Sequence, residues 1–190
     1  IAQHLVGNKI GHQIGMLRKR RRKSFKLKKA VGRLSEYRQR LPNKALTFQD
    51  ILGLEGVASR VYFRCMFDEM DWVRRSPRTK SDITNLLLDI GYTQLFNFMD
   101  ALLNLYGFDT YQGVYHKTFY QRKSLVCDLV EPFRPLIDDQ IRKGFKLGKV
   151  NPDDFDIVNK QYRIFGKTAE PYVAWSLKPL LDSKQCIFLY

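Results

Sequence analysis

The sequence is poor in cysteine and has no long apolar run. Its three cysteines, Cys65, Cys127 and Cys186, are far apart and form no C-x-x-C pair, which argues against a zinc site or a disulfide framework. We expect them to be buried, reduced thiols of a cytosolic protein. No stretch reaches the roughly 18 apolar residues of a membrane span, and no secretory signal is visible. These absences favour a globular protein that does not use a membrane.

Acidic residues are scarce relative to basic ones. The chain has 190 residues, with 33 lysines and arginines against 19 aspartates and glutamates, so its net charge is +14. This excess favours an anionic partner, nucleic acid first and an anionic membrane surface second. The densest basic run contains Arg18, Lys19, Arg20, Arg21, Arg22, Lys23, Lys26, Lys28 and Lys29. We interpret this run as a surface that follows a DNA duplex, with a solvated helix end or a localisation-like run as alternatives.

The alternating pattern of β-strands is also missing, so the predicted fold class is all-α. Helical spacing of apolar residues predicts helices over residues 2–22, 27–40, 83–90, 94–106, 124–142 and 171–181. A long buried helix is predicted after the N-cap Thr47, and a short one begins at Pro152. Asp82 and Ser124 are the predicted N-caps of two others.

The segment from Ser124 to Pro135 places two carboxylates, Asp128 and Glu131, directly before Pro132. At this i, i+3 spacing the two acids share a helix face, and they repel each other unless a cation lies between them. Pro132 has no N–H, so we expect a kink where the acids project. A solvated acidic face, with Arg134 paired to Glu131, is the ordinary alternative.

Two further residues complete a possible metal site. His116 lies on the loop that leads into this helix, and Glu55 lies near the start of the long buried helix. Carboxylate oxygens with one imidazole suit Mg²⁺ or Mn²⁺ better than zinc. A glutamate near a helix N-terminus is also favoured by the helix dipole alone, so Glu55 has an ordinary explanation as well.

Basic residues accompany these acids and are candidate phosphate contacts, although each could be an ordinary solvated cation. They are Arg60 and Arg64 on the helix of Glu55, and Lys117, Arg122, Lys123 and Arg134 near His116 and Glu131, with Arg78 and Lys80 as weaker candidates.

Four sequence blocks follow one another between residues 52 and 138. They are L-G-L-E-G-V-A with V-Y-F at 61–63, D-x-x-N-L-L with G-Y at 91–92, G-F-D with Gly113 and His116, and S-L-x-x-D-L-x-E-P-F-R-P with Asp138. Together they resemble the Cas1 family of CRISPR spacer-acquisition integrases. One departure is Thr110, which stands where the family has a proline.

The resemblance implies a set of functional residues and a reaction. The metal ligands would be Glu55, His116 and Glu131, and Asp128 would either ligate the Mg²⁺ or Mn²⁺ ion or support a ligand. The reaction would insert spacer DNA into a CRISPR array by transesterification of a DNA 3′-OH on a repeat phosphodiester. Water in place of that hydroxyl would give endonuclease activity.

The resemblance also implies an organisation and partners. We expect one helical catalytic domain over 1–190, with basic linking helices in 1–45, the metal-site core in 46–145 and C-terminal helices in 146–190. The family's amino-terminal β-domain is absent, and the chain ends suggest a piece of a longer protein. Expected partners are prespacer and repeat duplex DNA, a second copy in a homodimer, Cas2 and a fused or associated enzymatic module, in a prokaryotic cytoplasm.

The competing hypothesis is a non-catalytic, basic helical module that binds nucleic acid. Such a module needs the basic run, but it does not require Glu55, His116 and Glu131 to meet in space. The two hypotheses therefore differ in whether these three side chains converge.

Overall fold

The computed structural model describes residues 1–20, 24–70, 72–77 and 79–182, and they are mainly helical. The helices are α1 (Ala2–Arg18), α2 (Phe25–Arg40), α3 (Phe48–Met66), α4 (Ile83–Leu105), α5 (Ser124–Val130), α6 (Arg134–Lys146) and α7 (Ala169–Asp182). Short 3₁₀ turns lie at Glu131–Phe133, Pro152–Asp154 and Gly166–Thr168. The all-α prediction is confirmed, with the small addition of an antiparallel hairpin between β1 (Asp156–Val158) and β2 (Gln161–Arg163).

Side chains cap the two helices that flank the site on the amino-terminal side. Thr47 and Asp50 form a reciprocal capping box at α3, and Asp82 accepts a hydrogen bond from the amide of Asn85 at the start of α4. The prediction of Ser124 as an N-cap is wrong. Ser124 is the first residue of α5, and its hydroxyl donates to the carbonyl of Lys117, 3.1 Å away.

The two helices predicted over 83–90 and 94–106 form one continuous helix, α4. Gly91 lies inside it, where α6 approaches so closely that an added Cβ would stand 2.3 Å from Cγ2 of Ile137. The glycine that suggested a break is therefore required by packing.

The predicted interruption at Pro132 is confirmed. The 3₁₀ turn Glu131–Phe133 separates α5 from α6, which runs on to Lys146. Helix α1 packs against this turn and against α2 and α3, whereas α4 packs against α5, α6 and α7. This arrangement brings the middle of α1, the first half of α3 and the 3₁₀ turn to one place.

Two observations concern predictions made from absences. No helix in the described part of the chain is long and apolar enough to cross a bilayer. Cys65 is buried and Cys127 is half-buried, and both are free thiols. Cys186 lies outside the described residues.

Candidate metal centre and nucleic-acid surface

Two carboxylates from separate elements meet around one side-chain cation. Lys9 of α1 places its Nζ 2.5 Å from Oε1 of Glu55 and 2.6 Å from Oε2 of Glu131. The three side chains are only 10–17% exposed. The other oxygen of Glu55 accepts a 2.5 Å hydrogen bond from the hydroxyl of Tyr115. The sequence-predicted pair of Glu55 and Glu131 is therefore brought together.

Electrostatics keep Glu131 ionised despite its burial. Burial alone would raise the pKa of Glu131, but Lys9 and Arg134 more than offset that effect and hold the pKa below its usual value. Arg134 contributes through a 3.1 Å ion pair with Oε1 of Glu131, and His116 contributes a smaller electrostatic effect in the same direction. The site is thus a buried acidic pair compensated by cations of the chain itself.

Asp128 organises the loop that carries His116. Its side chain is fully buried, and its two oxygens accept hydrogen bonds from the amides of Val114, Tyr115 and His116 at 2.6–2.9 Å. Nδ1 of His116 lies 2.6 Å from Oδ1, where it must carry the proton because a carboxylate only accepts. This leaves Nε2 of His116 as the nitrogen that can act as a ligand. Of the two roles expected for Asp128, the contacts favour support of a ligand.

The expected convergence of all three ligands is not complete in this arrangement. Within the described ranges, no group of three or more His, Cys, Asp or Glu side chains is placed to hold a metal ion. The reason is visible in the contacts, since Lys9 and Arg134 take up the charge of the carboxylates. The assignment of Glu55, His116 and Glu131 as metal ligands stays a prediction.

The donor set nevertheless fits a hard divalent cation. Oε2 of Glu131 is buried and has no hydrogen-bonding partner of suitable geometry among the described residues, and its charge is met by the ion pair with Lys9. Buried carboxylate oxygens from two elements, already grouped around a cation, are the ligands that Mg²⁺ and Mn²⁺ prefer. His116, oriented through Nδ1 by Asp128, adds the arrangement usual for a metal-binding imidazole.

A second buried network supports Arg134. Its guanidinium lies 4.8 Å from the ring centroid of Tyr92, whose hydroxyl donates a 2.5 Å hydrogen bond to Asp138. Burial raises the pKa of Asp138 to about 7, although Tyr92 and Arg134 act to lower it. Arg134 is therefore fixed between Tyr92 and Glu131, which orients Glu131 rather than presenting the guanidinium to solvent.

The structure corrects part of the predicted basic surface. Arg20 is buried and contacts Asp68 at 3.0 Å, Glu69 at 3.1 Å and the carbonyl of Cys65 at 2.6 Å, so it stabilises the fold and is not available to a phosphate. Arg18 lies exposed at the end of α1. Predictions for Arg21, Arg22 and Arg78 fall outside the described residues.

The other predicted phosphate contacts lie in two different settings. Lys117 and Arg122 are exposed on the loop that carries His116. Lys123, on the same loop, is half-buried in a 2.6 Å ion pair with Asp100 of α4. Lys117 and Arg122 are thus the more accessible of these cations to a phosphate near His116.

Arg60 and Arg64 face away from Glu55. At 100° per residue they lie roughly 140° and 180° from Glu55 around the axis of α3. Together with Lys26, Lys29 and Arg33 of α2 they line a groove of about 300 Å³, which we call the α2–α3 groove. Its floor is formed by Ala30, Val57, Val61 and Cys65. No acidic side chain is among these lining residues, although Lys26 is 3.9 Å from Asp68.

Sequence reasoning missed Lys9 and Tyr115. Lys9 lies three residues after Val6 and four before Gln13, both of which are buried, so it interrupts the inward face of α1. A lysine on such a face needs a partner, and this could have indicated an acidic one. Tyr115 sits in a loop without a regular pattern, and nothing in the sequence connects it with Glu55.

A family model described as CRISPR associated protein Cas1 matches residues 1–174. The chain belongs to the Cas1 family. A relative named CRISPR-associated endonuclease Cas1 1, from Thermodesulfovibrio yellowstonii, is 31% identical over 81% of this chain and 51% of its own length. A Geobacter sulfurreducens relative, named a CRISPR-associated exonuclease Cas4/endonuclease Cas1 fusion, is 32% identical over 59% of this chain and 22% of its own.

The fold agrees with this membership. A solved structure titled a partial Cas6-RT-Cas1–Cas2 complex superposes with a TM-score of 0.89, is 26% identical, and is matched over 97% of this chain and 58% of that one. The chain spans about half the length of the curated Cas1 relatives it matches, for example 51% of the Thermodesulfovibrio protein. Membership in the family therefore concerns the helical part described above.

Proposed function

We propose that this chain forms the catalytic part of a metal-dependent DNA integrase and endonuclease that inserts spacer DNA into a CRISPR array. One observation carries the proposal: Glu55 and Glu131, from separate elements, enclose a single cation beside an oriented His116. We further propose that the working assembly contains duplex DNA, a second copy of the protein and Cas2. The Cas2 and Cas4 in the names of similar proteins support these associations and a fused or associated enzymatic module.

The chain's own residues would position the reacting groups. Glu55, Glu131 and Nε2 of His116 would hold the Mg²⁺ or Mn²⁺ ion. When bound, this ion supplies polarisation of the phosphoryl oxygen and charge stabilisation at the attacking and leaving oxygens. In the transfer, the DNA 3′ oxygen forms a new bond to phosphorus while the repeat strand's own 3′ oxygen leaves. Asp128 would keep His116 in one tautomer and orientation throughout.

The α2–α3 groove is proposed to bind the phosphate backbone. Five cations over an apolar floor attract a polyanion without reading its sequence. The groove lies on the other side of α3 from Glu55, so a phosphate bound there is not the one that reacts. A non-catalytic binding module would explain this groove but not the acidic pair.

Strand transfer into a supercoiled plasmid that carries a CRISPR repeat tests the catalytic proposal. With the full-length protein, Mn²⁺ or Mg²⁺, and a duplex with free 3′-OH ends, Glu131→Gln should lower the rate about 100-fold or more, because one charged ligand is removed. The matched control is Glu36→Gln on the exposed side of α2, which should leave the rate unchanged. Activity that survives His116→Ala would contradict the assignment and favour the binding module.

The groove is tested separately by salt dependence. The double substitution Lys29→Gln with Arg64→Gln should lower the slope of log affinity against log salt by about 1.8, since each lost phosphate contact removes about 0.9. Lys178→Gln, at an exposed position of α7, is the control. An unchanged slope would place the duplex elsewhere on the protein.

A further inference from the structure

Lys9 is unusual because it holds a charge on the packed side of α1. Its side chain is 13% exposed, and its ammonium contacts both Glu55 and Glu131. The neighbouring turn of α1 is also fixed to the site, because Nδ1 of His12 lies 2.5 Å from the carbonyl oxygen of Pro132. The position of Lys9 between the acids is thus determined by the docking of α1.

The ammonium has the role that a metal ion would have. Without a cation, two buried carboxylates this close together would repel, and removal of one partner from a buried ion pair leaves an uncompensated charge. Burial acts to lower the pKa of Lys9, but Glu131 and Glu55 together raise it above its ordinary value. A lysine carries one positive charge against two carboxylates, whereas a divalent ion would neutralise both.

We propose that Lys9 is a built-in counter-ion that holds Glu55 and Glu131 together in the metal-free protein and must leave them when a divalent cation binds. The inference rests on the proposed function, because it concerns the same two carboxylates. Both cations require the facing oxygens Oε1 of Glu55 and Oε2 of Glu131, so they compete for one place. Lys9 therefore preforms the site and lowers its affinity for metal.

The flexible stem of lysine makes such an exchange feasible. The ammonium sits at the end of four methylene groups, so rotation within the side chain can withdraw it while α1 stays docked. Gln13 on the next turn and the His12 contact with Pro132 do not depend on Lys9. Displacement of Lys9 should therefore leave the fold intact.

Amine labelling of the full-length natural protein tests the exchange directly. Acetic anhydride modifies exposed lysines, and mass spectrometry of the peptide that contains Lys9 gives its rate. We expect saturating Mg²⁺ to raise the rate at Lys9 about tenfold, because the ammonium leaves its buried ion pairs, while Lys28 on the exposed side of α2 changes little. An unchanged rate at Lys9 under conditions where calorimetry shows Mg²⁺ bound would overturn the proposal.

The competition itself is tested with Lys9→Met and calorimetric titration of Mn²⁺. Loss of the competing ammonium should lower the Kd about tenfold, whereas a merely structural lysine would give weaker binding on substitution. Lys28→Met controls for the loss of one positive charge and should leave the Kd within about twofold. No Mn²⁺ binding by the natural protein would instead refute the proposed metal site, which separates the two failures. Weaker binding by a folded Lys9→Met protein would refute the role of Lys9.

Discussion

Substitution of Asp128 by asparagine should destabilise the protein and detach the loop of His116. Oδ2 of Asp128 accepts from the amides of Val114 and Tyr115, and Oδ1 accepts from the amide and Nδ1 of His116. Asparagine has the same shape, but its NH₂ group would face two of these four donors. Asp128→Asn thus places donors against donors in a fully buried position.

The magnitude follows from the contacts that are lost. A hydrogen bond to a charged acceptor contributes about 1.5–3 kcal/mol, so loss of two should lower the free energy of unfolding by about 3–6 kcal/mol. Because His116 also loses the group that orients it, the affinity for Mn²⁺ should fall about 10- to 100-fold. Urea unfolding followed by circular dichroism measures the first quantity, and calorimetry the second.

Asp109→Asn is the matched control, since Asp109 is exposed on the same loop and accepts one 3.0 Å hydrogen bond from the amide of Tyr111. It should change the free energy of unfolding by less than about 1 kcal/mol. A loss below about 1 kcal/mol for Asp128→Asn, with an unchanged denaturant slope, would refute the reasoning that this carboxylate holds the loop.

Two further predictions concern α4 and its contacts. The raised pKa of Asp138 means that the folded state binds more protons than the unfolded state between pH 3.8 and about 7, so its contribution to stability declines as the pH rises through that range; Asp138→Asn should therefore gain stability relative to the natural protein from about pH 4 to 7 in denaturation curves, and a constant difference would contradict this. Gly91→Ala should lower the free energy of unfolding by about 1–3 kcal/mol, because the new Cβ meets Ile137, whereas Gly53→Ala on α3, with open space around it, should stabilise the helix by up to about 1 kcal/mol; equal effects at the two glycines would count against the packing argument.

The sequence was most informative where a local rule determines the structure. Thr47 and Asp82 are caps whose side chains act on amides two or three residues away, and Pro132 removes a helical hydrogen bond at its own position. Gly91 shows where such rules fail, since its meaning depends on Ile137, which is distant in the chain. Local patterns cannot show which helix will approach.

The candidate site divides in the same way. Glu55, His116 and Glu131 could be proposed from residue type, and family resemblance strengthened the choice. The engagement of Glu55 and Glu131 by Lys9 could not, because it depends on how α1 docks against α3 and the 3₁₀ turn. The burial of Arg20 depends in the same way on Asp68, far along the chain, so a run of positive charge in the sequence did not correspond to one continuous surface.

Helix α4 sets a fixed spacing between parts of the site. Asp89 pairs with Arg75 near its start, Tyr92 meets Arg134 in its middle, and Asp100 holds Lys123 of the His116 loop further on. One inserted residue between Tyr92 and Asp100 would turn the later contact by about 100° and shift it by about 1.5 Å. The length of this helix is therefore under stronger constraint than the identity of its exposed residues, and the family should tolerate exchanges there far more readily than insertions or deletions.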